Sequence, residues 1–198
     1  MKKNYLFVDG SNLYAGQYEL FGPDKYLDFP EFVKHLEKRL KSTFDKIYFY
    51  TSFSPRPNYP TKKQKEYLKN EALFYRSVKQ TKNTIFFKGY RSKTSGKEKE
   101  VDVKLAVDIV DFAHRNYYQQ ISILSGDADF MEALFAVRRL EKNISVLCIE
   151  NKIMYKSLIF FDTYILILRK LPVLELSKRM RKNFHPLEIS PKEVTKAV

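Results

Sequence analysis

The feature that most constrains the fold of this chain is the alternation between short apolar runs and longer helical patterns. Runs of β-branched and aromatic residues predict strands at residues 5–8, 47–53, 84–87, 121–124, 144–149 and 164–168. Apolar residues recur at helical spacing over residues 30–44, 61–80, 101–116 and 128–142. Strands that alternate with helices form a parallel sheet covered on both faces. The pattern therefore predicts an α/β fold.

The length and the distribution of apolar residues indicate one domain. A chain of 198 residues is long enough for one sizeable α/β core and short for two. Hydrophobic residues make up 44% of it, as expected of a packed globular protein. After about residue 178 the periodicity is lost and two prolines occur. We therefore predict a domain over residues 1–177 and a basic, partly irregular tail over residues 178–198.

No uninterrupted apolar stretch reaches the roughly 18 residues that a membrane helix needs. The apolar run near the N-terminus is broken by Asp9 after four residues, which favours a first strand over a signal peptide. We expect a cytoplasmic protein without a membrane partner. The single cysteine, Cys148, lies within an apolar run, which is typical of a buried structural thiol.

The positive charge of the chain is concentrated in one region. The formal net charge is +13, and residues 56–99 alone contain thirteen Lys or Arg against three Glu. A region with this excess of positive charge favours a polyanionic partner, most simply a nucleic acid.

Aspartates lie where the predicted sheet should bind a ligand. Asp9 follows the first strand, Asp127 follows the strand at residues 121–124 with Asp129 two residues later, and Asp102 lies in the first turn of a helix. Parallel α/β sheets bind ligands at the carboxyl ends of their strands, so these carboxylates can meet in one pocket. Each also has a purely structural interpretation, because an acid between a strand and a helix often caps the helix.

Carboxylates that converge in a basic protein repel one another unless a cation joins them, and oxygen clusters of this kind hold hard ions such as Mg²⁺ or Mn²⁺. The three histidines are scattered and lack partners at the spacing of a zinc site. Glycine-rich phosphate-binding motifs and the serine-nucleophile motif G-x-S-x-G are absent from the sequence. The pattern therefore favours metal-assisted phosphoryl chemistry.

Three segments together resemble the NYN family of PIN-like nucleases, including its LabA-like bacterial branch. They are FVDGSNLY at residues 7–14, KEVDVKLAVDIV at 99–110 and ILSGDADFMEAL at 123–134. The resemblance implies a Rossmann-like three-layer α/β/α sandwich with a mainly parallel sheet, and a ribonuclease that uses Mg²⁺ or Mn²⁺. It also implies an acidic site whose metal ligands are Asp9, Asp102, Asp127 and Asp129, with Asn12 orienting ligands from a loop after the first strand.

Other residues are assigned around this site. Asp108 lies roughly 240° round the helix from Asp102, which indicates that it supports the site residues from behind or has a structural role, and Glu100 is an optional extra ligand. Ser125 can hydrogen-bond a carboxylate, and Ser11 and Ser125 are predicted substrate contacts. In a mobile loop beside the site, we expect the phosphate backbone and an unpaired base to be held by Arg91, Lys93, Lys97, Lys99 and Tyr90.

Two other functions are compatible with the same residues. One is a PIN-like nucleic-acid-binding adaptor without catalysis, and the other is a metal-dependent DNA nuclease or small phosphatase. The expectation of RNA, single-stranded or structured, rests on the resemblance. The sequence leaves a homodimer open.

Overall fold

The computed structural model describes residues 3–91, 98–149, 164–168 and 175–179, and only the backbone at 90, 91, 98, 99 and 164–168. Its strands are β1 (Asn4–Asp9), β2 (Lys25–Leu27), β3 (Lys46–Thr51), β4 (Thr84–Lys88), β5 (Tyr90–Arg91), β6 (Glu98–Lys99), β7 (Gln120–Leu124), β8 (Asn143–Ile149), β9 (Tyr164–Leu168) and β10 (Ser177–Arg179). Its helices are α1 (Gly10–Phe21), α2 (Phe29–Leu40), α3 (Lys62–Lys79), α4 (Val101–His114) and α5 (Met131–Arg139), and a 3₁₀ turn (Ala128–Phe130) precedes α5.

The main sheet has six parallel strands in the order β4-β3-β1-β7-β8-β9. Counted along the chain these strands run 3-2-1-4-5-6, the order of a doubly wound sheet. The chain reverses its direction across the sheet between β1 and β7. The connections on either side of this switch point run over opposite faces, which leaves a crevice at the carboxyl ends of β1 and β7.

Two apolar cores cover the two faces of the sheet. Leu6 and Val8 of β1 pack on one face with residues of α1, α2 and α3, and Tyr5 and Phe7 pack on the other face with residues of α4 and α5. Alternate residues of β1 are thus buried on opposite faces, as expected of a strand in a parallel sheet that is covered on both faces. The predicted three-layer α/β/α architecture is confirmed.

Helix boundaries differ from the prediction in three places. A loop was expected after β1, but α1 begins directly at Gly10, so Asn12 is a helical residue. The first predicted helix ends at Leu40 instead of residue 44, because Lys41 adopts a left-handed conformation with φ of 51°. The predicted helix over residues 128–142 is a 3₁₀ turn followed by α5, and α5 ends at Arg139.

Two small antiparallel ladders were not predicted. The ends of the expected loop at residues 89–100 form the ladder β5–β6, in which Tyr90 is opposite Lys99. Near the C-terminus, β10 pairs with β2, and Lys178 Nζ lies 2.6 Å from Asp28 Oδ2. The predicted domain boundary at residue 178 falls within β10, and residues 180–198 lie outside the described part.

The described helices include none that is both long and apolar enough to cross a membrane.

A candidate carboxylate site at the switch point

Asp9 lies at the centre of the crevice as the last residue of β1. Its side chain is 4% exposed and also caps α1, because Oδ1 accepts a hydrogen bond from the Asn12 N–H at 3.0 Å. Oδ2 accepts a hydrogen bond from the Ser125 hydroxyl at 2.9 Å. The predicted contact between Ser125 and a carboxylate is confirmed. Both donors are neutral, so they orient the carboxylate without neutralising its charge.

Gly10 allows the chain to turn from β1 directly into α1 behind β3. A Cβ atom at this position would lie 2.2 Å from the ring of Phe49 and 2.8 Å from the carbonyl oxygen of Tyr50. Both distances are far below ordinary van der Waals contact, and the second involves backbone that cannot move aside. Only glycine therefore lets α1 start next to the end of β3, and this start fixes the position of Asp9.

The turn after β7 brings Asp127 to the same crevice. The Asp127 N–H donates to Ser125 Oγ at 3.1 Å, and Asp127 Oδ1 accepts from the Asp129 N–H at 3.0 Å. Asn12 joins the two strand ends, since its Oδ1 accepts from the Gly126 N–H at 3.3 Å. Asp127 therefore caps the 3₁₀ turn, while Asp129 is exposed at its start.

The charges of the crevice raise the pKa of Asp9. Burial is the main cause, and the negative charges of Asp102 and Asp127 add to it. The hydrogen bonds from Asn12 and Ser125 favour the ionised form but only partly offset these effects, so the pKa is raised to about 7. The charges of Asp102 and Asp127 therefore act on Asp9 across the crevice, although the three residues are far apart in sequence.

Asp108 is held in a different way from Asp9. It is 8% exposed on α4, and its carboxylate accepts a hydrogen bond from the Tyr50 hydroxyl at 2.8 Å and forms an ion pair with Lys104. The structural role predicted for Asp108 is confirmed. Glu100 precedes α4 in a left-handed conformation with φ of 70° and is exposed.

The donors of the crevice are suited to a hard cation. They are carboxylate oxygens, which Mg²⁺ and Mn²⁺ prefer, and burial together with the charges of Asp102 and Asp127 raises the pKa of Asp9. Within the described residues, no three His, Cys, Asp or Glu side chains are grouped so that they could hold a metal ion together. Mg²⁺ is usually bound by one or two carboxylates plus waters and substrate phosphates. The residues therefore fit an open, hydrated cation site better than a closed cage.

Comparison with protein families gives a match to the NYN domain over residues 3–168, most of the chain. The chain belongs to the NYN domain family. A crystal structure of a protein of unknown function from Vibrio parahaemolyticus is similar to this NYN domain with a TM-score of 0.60 and 18% sequence identity. The similarity covers 84% of this chain and 92% of that one, and it supports the α/β fold alone. A search of curated proteins gives no match.

The predicted phosphate-binding residues of the NYN domain lie largely outside the described part. The structure gives the backbone of Tyr90, Arg91 and Lys99 but not their side chains, and Lys93 and Lys97 are not described. The ladder of Tyr90 with Lys99 ends two residues before α4 begins. Lys99 is thus placed three residues before Asp102, while the substrate contacts themselves stay predictions.

One polar network beside the site was not predicted. Thr51, the last residue of β3, is within 3.4 Å of Ser11 and 2.7 Å of Tyr75, measured between the side-chain oxygens. The sequence placed the end of this strand at residue 53. A strand end placed at Thr51 would have made this residue a candidate for the site, because parallel sheets bind ligands at the carboxyl ends of their strands. The network fixes Ser11 next to Asp9, and its role as a substrate contact stays a prediction.

Cys148 is fully buried, and burial raises its pKa to about 11. A thiol of this kind is protonated near neutral pH and is a poor nucleophile. The predicted structural role is confirmed.

Proposed function

We propose that this NYN domain is a metal-dependent ribonuclease that hydrolyses RNA phosphodiester bonds in the crevice between β1 and β7. The observation that carries the proposal is the buried Asp9, whose pKa is raised by burial and by the charges of Asp102 and Asp127. A carboxylate held in this way is costly to the fold unless a ligand of positive charge joins it. Its position at the switch point is where doubly wound sheets bind their ligands.

In this proposal, Asp9, Asp102 and Asp127 hold the cation, and Asp129 contributes through water. Mg²⁺ or Mn²⁺ is the expected ion because the donors are oxygen atoms. The chemistry that such an ion supplies is activation of water for attack on phosphorus and stabilisation of negative charge on the leaving oxygen.

The residues around the carboxylates orient them. The Ser125 hydroxyl and the Asn12 N–H fix both oxygens of Asp9, at 2.9 and 3.0 Å. The Asn12 side-chain oxygen also accepts a hydrogen bond from the Gly126 N–H, so the start of α1 and the turn after β7 keep a fixed separation. We assign Asn12 and Ser125 as positioning residues, because each donates a hydrogen bond to one oxygen of the Asp9 carboxylate and so orients it.

Positive charge at the same edge would hold the RNA backbone. Helix α3 starts at the carboxyl edge with exposed Lys62, Lys63 and Lys65. The further proposed phosphate contacts, from the segment between β4 and α4, are Arg91, Lys93, Lys97 and Lys99. This arrangement favours a polymer over a small phosphate ester, because the positive charge extends along the edge of the sheet.

The choice of RNA rests on the resemblance to PIN-like nucleases, and a metal-dependent DNA nuclease is the alternative within the same chemistry. Among the described side chains, no three His, Cys, Asp or Glu residues are grouped so that they could hold a metal ion, and this favours a second candidate. This candidate is a nucleic-acid-binding adaptor that does not cleave.

The test is incubation with labelled single-stranded RNA or DNA in Mg²⁺, Mn²⁺ or EDTA. We expect the wild type to cleave RNA with either ion but not in EDTA, and the Asp9→Asn and Asp127→Asn variants to be inactive while still folded. Cleavage of DNA but not of RNA would show that the substrate is DNA. Binding without cleavage in every condition would favour the adaptor, and full activity of both variants would refute the carboxylate site.

A further inference from the structure

We propose that Tyr59 is a stacking platform for an unpaired base of the RNA, placed at the edge of the carboxylate site. This inference deepens the proposed function and rests on it. It assigns the substrate as single-stranded RNA and names the residue that contacts a base, whereas the sequence had favoured Tyr90.

Tyr59 is the most exposed large hydrophobic residue among those described, with 94% of its surface accessible. The structure describes the side chains of two other tyrosines between residues 56 and 99, and both pack against the apolar core. The ring of Tyr67 contacts those of Tyr14 and Tyr18 at centroid distances of 5.3 and 4.8 Å, and Tyr75 is 2% exposed. Both faces of the Tyr59 ring are therefore accessible to a base, and those of Tyr67 and Tyr75 are not.

The loop that carries Tyr59 is anchored at both ends. At its start, the N–H and the hydroxyl of Ser54 donate to Glu71 Oε1 at 3.1 and 2.6 Å. At its end, Thr61 and Gln64 form a reciprocal capping box at the start of α3. Three prolines, at positions 55, 57 and 60, fix further backbone angles between these anchors. The exposed ring is thus presented by a restrained loop, which lowers the entropy lost on binding.

The topology places this loop beside the proposed site. Strand β3 neighbours β1, with Tyr50 paired to Asp9, and the loop leaves the carboxyl end of β3 at Ser52. The contact between Thr51 and Ser11 ties this strand end to the start of α1. Tyr59 therefore lies on the same edge of the sheet as Asp9, on the side of β3.

The charges around Tyr59 suit a phosphate backbone. Arg56 and Lys62, each three residues from Tyr59, are exposed. Residues 46–65 contain five Lys or Arg and no Asp or Glu, so no acid in this segment repels a phosphate. An exposed aromatic ring between cations is the arrangement that binds single strands, in which the bases stack on the ring and the phosphates meet the cations. Bases inside a duplex have both faces covered by their neighbours, so only an unpaired base can use Tyr59.

The experiment measures binding of an unstructured, fluorescently labelled RNA oligonucleotide by anisotropy in EDTA, where cleavage is suppressed. The variants are Tyr59→Ala and Tyr59→Phe. The matched control is Tyr117→Ala, because Tyr117 is also exposed, at 42%, but follows α4 at the opposite edge of the sheet. The same RNA paired with its complement is the second ligand.

We expect Tyr59→Ala to weaken binding of the single strand by roughly 5- to 150-fold, the range for loss of one base–aromatic stack. Tyr59→Phe should bind like the wild type because it keeps the ring, Tyr117→Ala should also bind normally, and binding of the duplex should not change. A single strand that carries 2-aminopurine should be quenched by the wild type and not by Tyr59→Ala.

Equal affinity of Tyr59→Ala and wild type for the single strand would overturn the proposal, as would an equal loss for the duplex. Failure of the wild type to bind single-stranded RNA would overturn it too. These outcomes are separable from the proposed nuclease function. If Tyr59→Ala lost binding but the wild type did not cleave RNA, the stacking role of Tyr59 would be supported and the proposed nuclease function refuted. If Tyr59→Ala bound normally and the wild type cleaved RNA, the nuclease function would be supported and the stacking role refuted.

Discussion

The polar groups at the two edges of the parallel sheet have opposite surroundings. At the amino edge, the Asn4 N–H donates to Asp45 Oδ2 at 2.8 Å, and the Asn4 amide donates to Ser42 and Thr43. At the carboxyl edge, the charges of Asp102 and Asp127 act on the buried Asp9, and the two hydrogen-bond donors that the described part of the chain gives it are both neutral. The amino edge therefore stabilises the fold, while the carboxyl edge carries a charge arrangement that costs stability.

The aspartates at the two ends of helix α4 also differ in their surroundings. It begins at the carboxyl edge with Asp102, which raises the pKa of Asp9, and near its other end Asp111 forms an ion pair with Arg115 at 3.0 Å. The charge of Asp102 thus acts on another carboxylate, whereas Asp111 lies beside a cation.

The largest expected effect is on the pH dependence of stability. Because the folded pKa of Asp9 is raised from its ordinary 3.8 to about 7, the wild type without metal should lose stability as the pH rises from about 4 to about 7. Asn at position 9 cannot ionise, so the stability of Asp9→Asn relative to wild type should grow by up to about 4 kcal/mol over this range. Denaturant unfolding in EDTA at several pH values measures the difference. If the free energies of unfolding of the wild type and Asp9→Asn changed with pH in parallel, folding would not raise the pKa of Asp9.

The next effect separates the two ends of α4. Asp102→Asn should reduce cleavage of RNA by at least about 100-fold, the upper end of the loss seen when a group that merely orients a ligand is removed. Asp111→Asn should leave cleavage unchanged and cost at most about 1 kcal/mol of stability, because its pair is on the surface. Initial rates under matched Mg²⁺ concentrations provide the comparison. Similar losses in both variants would remove the distinction between the edges.

A smaller effect is expected from one serine at each edge. Ser125→Ala removes the hydroxyl that donates to Asp9, so the pKa of Asp9 should rise further and the cleavage profile should shift to higher pH, with rates lower by about 10-fold. Ser42→Ala removes a hydrogen bond to Asn4 and should cost about 1 kcal/mol of stability without a shift of the profile. If Ser125→Ala changed the rate but not the pH profile, the contact to Asp9 would not explain its role.

The sheet and the position of the acids could be predicted from the sequence because both have local signals. Each strand of the main sheet is a short apolar run, and Asp9 and Asp127 lie at or shortly after the ends of two of them. Helix α1 was missed because its buried face includes Gly10, Gly16 and Gln17, so the apolar spacing of a helix is faint. Gln17 is nevertheless fully buried, and its Oε1 accepts a hydrogen bond from the Leu27 N–H at 2.6 Å.

Pairing between distant segments could not be predicted. Strands β2 and β10 are three residues each and are separated by most of the chain, so neither carries a periodic signal. The role of Asp108 could be inferred from helix geometry, but its partner Tyr50 lies on β3 and is known only from the structure. The capping and the ligand interpretations of Asp9 and Asp127 also proved compatible, because a capping carboxylate keeps lone pairs for other partners.

The central claim is that the carboxyl edge binds a divalent cation through Asp9 and its neighbours. Titration of the protein with Mn²⁺, followed by the loss of the free-ion electron paramagnetic resonance signal, tests it most directly. The wild type should bind Mn²⁺, Asp9→Asn and Asp102→Asn should bind it at least about tenfold more weakly, and Asp111→Asn should bind it like the wild type. Equal affinity of the wild type and Asp9→Asn, or no binding by the wild type, would contradict the claim.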